Sequence, residues 1–399
     1  MTPLSLTRRL AAVSESQTLA VDAKVQELTA AGRDIVNLSA GQPDWNTPEF
    51  VCAAAAEAAD RGETRYTPPA GTPALRRAAA RFFREVCNIP TEPAAVAVTS
   101  GAKHALYEAM MAVLEPGDEV LVPLPYWVSY PEQVKLAEGV PVPVSPGRGL
   151  RVTPADLAGK LTPRTRMLIF NSPSNPTGEV YPPGEVRDLA AFCLEHGLVI
   201  LSDEIYNRLV FDGVPAVSPA SLGPDVAAVT LTVNGVSKSH AMTGWRIGFL
   251  TGPEEIVRGV ARFQGQTTGN PSSISQAAAL AALEGPVDVL ETMAAAYRRR
   301  RDLAVEELRA MAGVELETPG GAFYAFPRVA EAVRRAHGSI ALAARLVEEG
   351  VAVVPGAPFG ADDHIRISFA VGDDRLREGL VRLDRGLRAV LEQGSRPVA

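Results

Sequence analysis

Between residues 95 and 264, short runs rich in β-branched residues alternate with stretches of helical periodicity, and no other feature of the chain restricts its fold as much. Residues 95–99 read as a strand. Residues 101–114 read as a helix, with apolar side chains recurring at Ala105, Leu106, Ala109, Met110 and Val113. Further strands are expected at 119–123, 166–171, 198–202, 229–233 and 245–250, with helices at 183–196 and 254–264. Such alternation signals an α/β fold, in which helices cover a mostly parallel sheet. The Pro- and Gly-rich stretch 141–149 reads as a connection.

After Gly285 and Pro286 the pattern changes to a long helix at 287–311. A strand at 322–327, a helix at 340–349, strands at 351–354 and 364–369 and a final helix complete a smaller α+β unit. The expected division is an N-terminal arm joined to the smaller unit (1–45), a large domain (46–286) and a small domain (287–399). A chain of 399 residues has room for both cores.

No apolar run approaches the roughly 20 residues that span a bilayer, and residues 1–10 lack a signal-peptide core, so a cytoplasmic location without membrane attachment is expected. Cys52, Cys87 and Cys193 are widely spaced, which suggests neither a disulfide framework nor a metal site. The net charge is -7, and the basic run Arg298–Arg301 shares its helical pattern with several acids. It reads as a solvated helix face or subunit rim, and no nucleic-acid partner is expected.

Of 39 basic residues only five are lysine, so arginine is the default cation here and each lysine calls for a reason. Lys238 sits among small residues in Asn234-Gly235-Val236-Ser237-Lys238-Ser239, with Arg246 eight positions on. A lysine amine in a partly desolvated pocket can attack an aldehyde carbon, which a guanidinium cannot. Ser100-Gly101-Ala102-Lys103 lies where a strand gives way to a helix, and small residues there let backbone amides approach an anion. An ordinary strand-to-helix turn would use the same residues. Asp203 ends a buried strand, Asn175 follows another, and Arg366 interrupts an apolar one. A buried arginine needs an anionic partner, either a structural ion pair or a bound carboxylate.

Together these segments resemble the pyridoxal-phosphate-dependent aminotransferases of fold type I, most closely the bacterial aspartate aminotransferases. The resemblance runs from about residue 19 to the last helix, with the motifs in the family's order. It implies pyridoxal 5′-phosphate as cofactor and a ping-pong transfer of an amino group between an L-amino acid, aspartate or glutamate, and a 2-oxo acid. By resemblance, Lys238 holds the cofactor and moves the proton, Asp203 pairs with the ring nitrogen, and Tyr206 with Asn175 bonds the ring's phenolic oxygen. The phosphate falls to Gly101, Ala102, Lys103 and Arg246, and to Tyr66 reaching across from the other subunit of a homodimer. Gly235 stands where many relatives carry serine, which makes Ser237 the candidate for that hydroxyl contact. Trp127 matches the aromatic that stacks on the ring.

For the substrate, the resemblance implies Arg366 and the Gly41 backbone at the α-carboxylate, Lys103 at the side-chain carboxylate, and Trp127 and Asn175 among the substrate-binding residues. Gln42 departs from the glutamate often found at its position, which leaves a specialised biosynthetic substrate open. A lyase, cyclase or oxidase could use the same residues, since fold does not decide reaction type. A regulator that retains the cofactor would carry a DNA-binding extension, and none is seen. No G-x-G-x-x-G or G-x-x-x-x-G-K-[ST] motif supports a nucleotide-binding alternative.

Overall fold

The structure, a computed structural model, describes residues 4–15 and 17–393, so the outermost parts of the expected units, 1–3 and 394–399, lie outside the described residues. Among the described residues the strands are β1 (Val36–Asn37), β2 (Val96–Thr99), β3 (Glu119–Pro123), β4 (Val140–Val144), β5 (Thr165–Asn171), β6 (Val199–Asp203), β7 (Thr230–Gly235), β8 (Gly248–Thr251), β9 (Tyr324–Ala325), β10 (Val351–Ala352), β11 (Val354–Pro355) and β12 (Ile365–Ser368). Strands β2 to β8 form one sheet in the order β2-β8-β7-β6-β5-β3-β4. It is parallel except for β8, which runs antiparallel to both neighbours.

The central strands read as continuous apolar runs because helices cover both faces. On β5, Met167 and Ile169 join Ala105, Leu106 and Met110 of the helix Ala102–Val113. Leu168 and Phe170 point the other way, against Val186, Leu189 and Cys193 of the helix Pro183–Glu195. Burial of each large apolar side chain contributes roughly 1.5–3 kcal/mol. This arrangement brings the carboxyl ends of the parallel strands to one edge, where ligands of open α/β sheets bind. Because β8 is antiparallel, its amino end, next to Arg246, opens on the same edge. A smaller antiparallel sheet, β11-β12-β9, carries Arg366, and β1 pairs with β10. Among the described residues no helix is long and apolar enough to cross a membrane.

Three expectations need correction. Residues 141–149 are not simply a connection, since Val140–Val144 forms the edge strand β4 beside β3. The Val140 amide bonds Asp118 O and the Val144 carbonyl accepts from Leu124, so the valines face β3 and the nitrogens of Pro141 and Pro143 face the open edge. Residues 245–247 are not strand either: a 3₁₀ turn, Thr243–Trp245, leads to Arg246 in the left-handed region, and β8 starts at Gly248. A Cβ at Gly248 would lie 2.4 Å from the Ala102 nitrogen, so this crossing of strand and helix requires glycine.

The third correction concerns the basic run. Arg298 and Arg299 are exposed, but Arg300 and Arg301 are buried on the inner face of the helix Asp288–Ala310. Arg300 bonds Asp44 and Asp373, while Arg301 bonds Asp212, Asp302 and the Pro319 carbonyl. Most of these partners are far away in sequence, so residue spacing could not reveal them. Removing one partner would leave a buried charge uncompensated.

The helix Ala102–Val113 also buries Glu108 completely, with neither carboxylate oxygen hydrogen-bonded. Burial pushes its pKa up to about 8. Burial also holds the neighbouring His104, with Nδ1 3.4 Å from Glu108 Oε1, below the usual imidazole range, so the two do not form an ion pair at neutral pH. A carboxyl group whose pKa is raised in the folded state binds its proton more tightly there than in the unfolded chain. Its stabilising effect is complete below the unfolded value and is lost as pH rises from about 4.5 to about 8. Glu108→Gln is therefore expected to flatten the stability profile across this window and to be more stable than wild type at the alkaline end, by a few kcal/mol at about pH 8. Denaturant unfolding at a series of pH values tests this, and parallel profiles for the two proteins would refute it.

Candidate active site

A cavity of about 560 Å³ opens at the carboxyl edge of the sheet, between it and the β9–β12 region. Its wall includes Gly41, Ala102, Lys103, Trp127, Asn175, Asp203, Tyr206, Ser237, Lys238, Arg246 and Arg366, which come from eight separate segments of the sequence. Most arrive from a strand end or the turn just beyond it, while Ala102 and Lys103 open the helix Ala102–Val113 and Arg366 lies within β12. Gly101 lies immediately behind, where a Cβ would come within 2.4 Å of Arg246 Nη2, so only glycine lets the guanidinium approach the helix start.

That helix begins without a side-chain cap, and the first backbone bonds to Gly101 O come from His104 and Ala105. The earlier amides, with Arg246 beside them, form a cradle for an anion. At the opposite wall Arg366 is 2 % exposed and lies between the rings of Tyr324 and Phe359, at 4.4 and 5.4 Å from their centroids. Its Nη1 donates to Asn175 Oδ1 at 3.1 Å and its Nη2 to Ser39 O at 2.7 Å, while Nε has no partner.

Lys238 Nζ donates to Gly41 O at 2.6 Å. Desolvation, with help from Arg366 and Arg246, lowers its pKa to about 7, against the weaker pull of Asp203. Much of the amine is therefore neutral and nucleophilic at physiological pH. Asp203 is buried, and desolvation raises its pKa to about 6 although hydrogen bonds oppose the shift. Tyr206 Oη lies 3.0 Å from Tyr324 Oη, and burial keeps the Tyr206 phenol well above its usual range. Lys103 Nζ lies 4.8 Å from the centroid of the Trp127 ring, and burial also lowers its pKa.

One expected residue is assigned to the cavity of a second subunit. Tyr66 is 97 % exposed and outside the wall. Two residues were missed. Tyr130 donates to Asp203 Oδ2 at 2.8 Å, and Tyr324 packs against both Tyr206 and Arg366. The one signal for Tyr130 was its position three residues after Trp127, at a helix start. Tyr324 gave none beyond its place in an apolar strand.

The chain matches the family described as Aminotransferase class I and II over residues 33–383. It belongs to that family. As an aminotransferase it moves an amino group between an amino acid and a 2-oxo acid. It is 45% identical over 391 residues to the aspartate aminotransferase of Geobacillus stearothermophilus, covering 97% of this chain and 100% of that one. It is 46% identical over 389 residues to the aspartate/prephenate aminotransferase of Cereibacter sphaeroides, covering 95% and 97%. The aspartate aminotransferase of Thermus thermophilus solved with maleate superposes with a TM-score of 0.91 at 44% identity, covering 96% of this chain and 100% of that one.

The family generally works with pyridoxal phosphate, and the aminotransferase cavity has groups suited to each part of that molecule. The uncapped helix start and Arg246 suit its phosphate. A buried carboxylate at the end of β6 suits a protonated ring nitrogen, and a neutral amine suits its aldehyde.

Proposed function

We propose that this aminotransferase uses pyridoxal 5′-phosphate to exchange amino groups between aspartate or glutamate and 2-oxo acids. The supporting observation is the make-up of the cavity wall: four basic side chains, Lys103, Arg246, Arg366 and the partly neutral Lys238, face one carboxylate, Asp203. A cofactor phosphate and a substrate with two carboxylates match that balance, whereas a basic amino acid would find no acidic side chain free to receive it among the described residues of the wall. The relatives named for aspartate, and the one solved with the dicarboxylate maleate, agree with this reading.

In this assignment the amides of Ala102 and Lys103, with Arg246, bind the phosphate, and Ser237 adds a hydroxyl. Trp127 stacks on the ring, Asn175 and Tyr206 bond its phenolic oxygen, and Asp203 pairs with its nitrogen. When bound, the cofactor acts as an electron sink for the carbanion formed by loss of the Cα proton. Lys238 would hold the cofactor and, as a free amine, would carry the proton away from Cα. Arg366, Asn175 and the Gly41 backbone grip the α-carboxylate, and Lys103 the distal one. The exposed Tyr66 serves the cavity of a second subunit. Residues 46–286 are assigned to the cofactor-binding domain, 287–399 to the smaller one, and 1–45 to an N-terminal arm that joins the smaller one.

The absorbance spectrum of purified protein, before and after single amino acids are added without a keto acid, tests the proposal. Aspartate and glutamate should each bleach the visible band of the bound cofactor to the shorter-wavelength pyridoxamine phosphate band. A band that persists with both but converts with an aromatic or basic amino acid would overturn the substrate assignment.

A further inference from the structure

We infer that Tyr130 is a positioning residue whose hydroxyl turns the Asp203 carboxylate toward the cavity and keeps it charged for the cofactor's ring nitrogen. This inference rests on the cofactor reading above and concerns a residue outside the sets assigned there. Asp203 needs such help because it is a carboxylate in a buried site. Among the described residues its Oδ1 accepts only a long backbone bond, 3.3 Å from Ile205 N, whereas Oδ2 accepts from Tyr130 Oη at 2.8 Å. Asn171 Nδ2 fixes the Asp203 backbone at 2.9 Å but leaves the carboxylate alone. Lys238 acts on Asp203 more weakly than either hydrogen bond.

The direction of the proton is defined by surroundings. Tyr130 is 2 % exposed, and burial beside the Asp203 charge holds its phenol well above the usual range. The phenol therefore remains the donor, and a donor stabilises the ionised carboxylate over the protonated one. Since burial alone would drive Asp203 toward the neutral acid, removing the hydroxyl raises its pKa further.

The same short stretch also supports two other parts of the cavity. Tyr130 lies in the first turn of the helix Ser129–Leu136, with its amide bonded to Trp127 O. Its ring stands edge-on to Trp127, with centroids 5.4 Å apart at 85°. One turn later, Gln133 Nε2 donates to Lys103 O at 2.6 Å, joining this helix to the anion cradle. Residues 127–133 thus link the stacking ring, the nitrogen partner and the phosphate cradle, and the Tyr130 hydroxyl is the contact that reaches the reacting system through Asp203.

The test is cofactor binding by the full-length protein stripped of cofactor, titrated from about pH 5 to about pH 9. Two ligands are compared, pyridoxal phosphate and its analogue with carbon in place of the ring nitrogen. Tyr130→Phe keeps the ring and removes only the hydroxyl. At neutral pH it should bind pyridoxal phosphate roughly ten- to a hundredfold more weakly than wild type, the range for a hydrogen bond to a charged group. The deficit should shrink toward the alkaline end, where Asp203 ionises without help, and the analogue should bind both proteins alike. Tyr130→His, which retains a ring donor, should recover part of the loss for pyridoxal phosphate only. In an Asp203→Asn background, Tyr130→Phe should change affinity by less than about twofold.

A loss that is equal at every pH and for both ligands would reduce Tyr130 to a packing residue and overturn the inference. So would unchanged binding by Tyr130→Phe while wild type binds normally. If Tyr130→Phe does not fold, the His variant decides: a loss with the analogue as large as with pyridoxal phosphate overturns the inference. Wild-type protein that binds neither ligand would overturn the cofactor reading itself, together with this one.

Discussion

Lys238→Ala is expected to lower the rate of transamination by at least about 10⁴-fold, because it removes the covalent anchor and the proton carrier together. Lys238→Arg should fare no better, since it keeps the charge but supplies no nucleophile at neutral pH. The cavity contains one other amine, Lys103, whose pKa is also lowered by burial. Lys103 lies against Trp127, however, whereas Lys238 also faces Asp203 and Arg366 strongly enough to perturb its titration. Single-turnover conversion of bound cofactor by aspartate measures the loss directly. The cradle of Arg246 and helix amides is intact in both variants, so each should still bind the cofactor, and a small added amine should restore part of the rate to Lys238→Ala. A variant that retains more than about a tenth of the wild-type rate would transfer the role to Lys103.

The sequence revealed Lys238 for a chemical reason, because a rare residue type stood among small neighbours before an arginine. The strands were legible for a physical one: β5, β6 and β7 are buried on both faces and must read as apolar runs, and the site residues follow their carboxyl ends. What stayed hidden depends on contacts between distant segments. Tyr130 looks like any aromatic on a helix until the sheet brings Asp203 to 2.8 Å from its hydroxyl. Arg300 and Arg301 looked solvated because Asp44 and Asp212, which pair with them in the fold, lie far off in sequence. β4 was obscured by its prolines, which an edge strand tolerates on the side that makes no ladder bond. Strand 245–250 failed at its start because β-type residues do not report that Arg246 must turn into the left-handed region to bring its guanidinium to the helix start.

Arg366→Leu should separate recognition from stability. Arg366 is buried between two aromatic rings, and among the described residues its hydrogen bonds go to a neutral amide and a backbone carbonyl, not to a carboxylate. Such a guanidinium has given up hydration without the full return of an ion pair, and its Nε is still unpaired. The α-carboxylate of a substrate would supply the missing charge, in bidentate geometry that lysine cannot reproduce. Loss of that pairing should reduce kcat/KM for aspartate by roughly 10²- to 10³-fold. Most of the loss should appear in KM, because the carboxylate is held alike before and during proton removal. An amine without a carboxylate, slow in both proteins, should be affected little. In the absence of substrate, the same substitution replaces an incompletely paired buried cation with an apolar side chain, so the variant should unfold at a higher temperature than wild type. If instead it were destabilised and its KM unchanged, Arg366 would be a structural residue, and the carboxylate would have to bind elsewhere in the cavity.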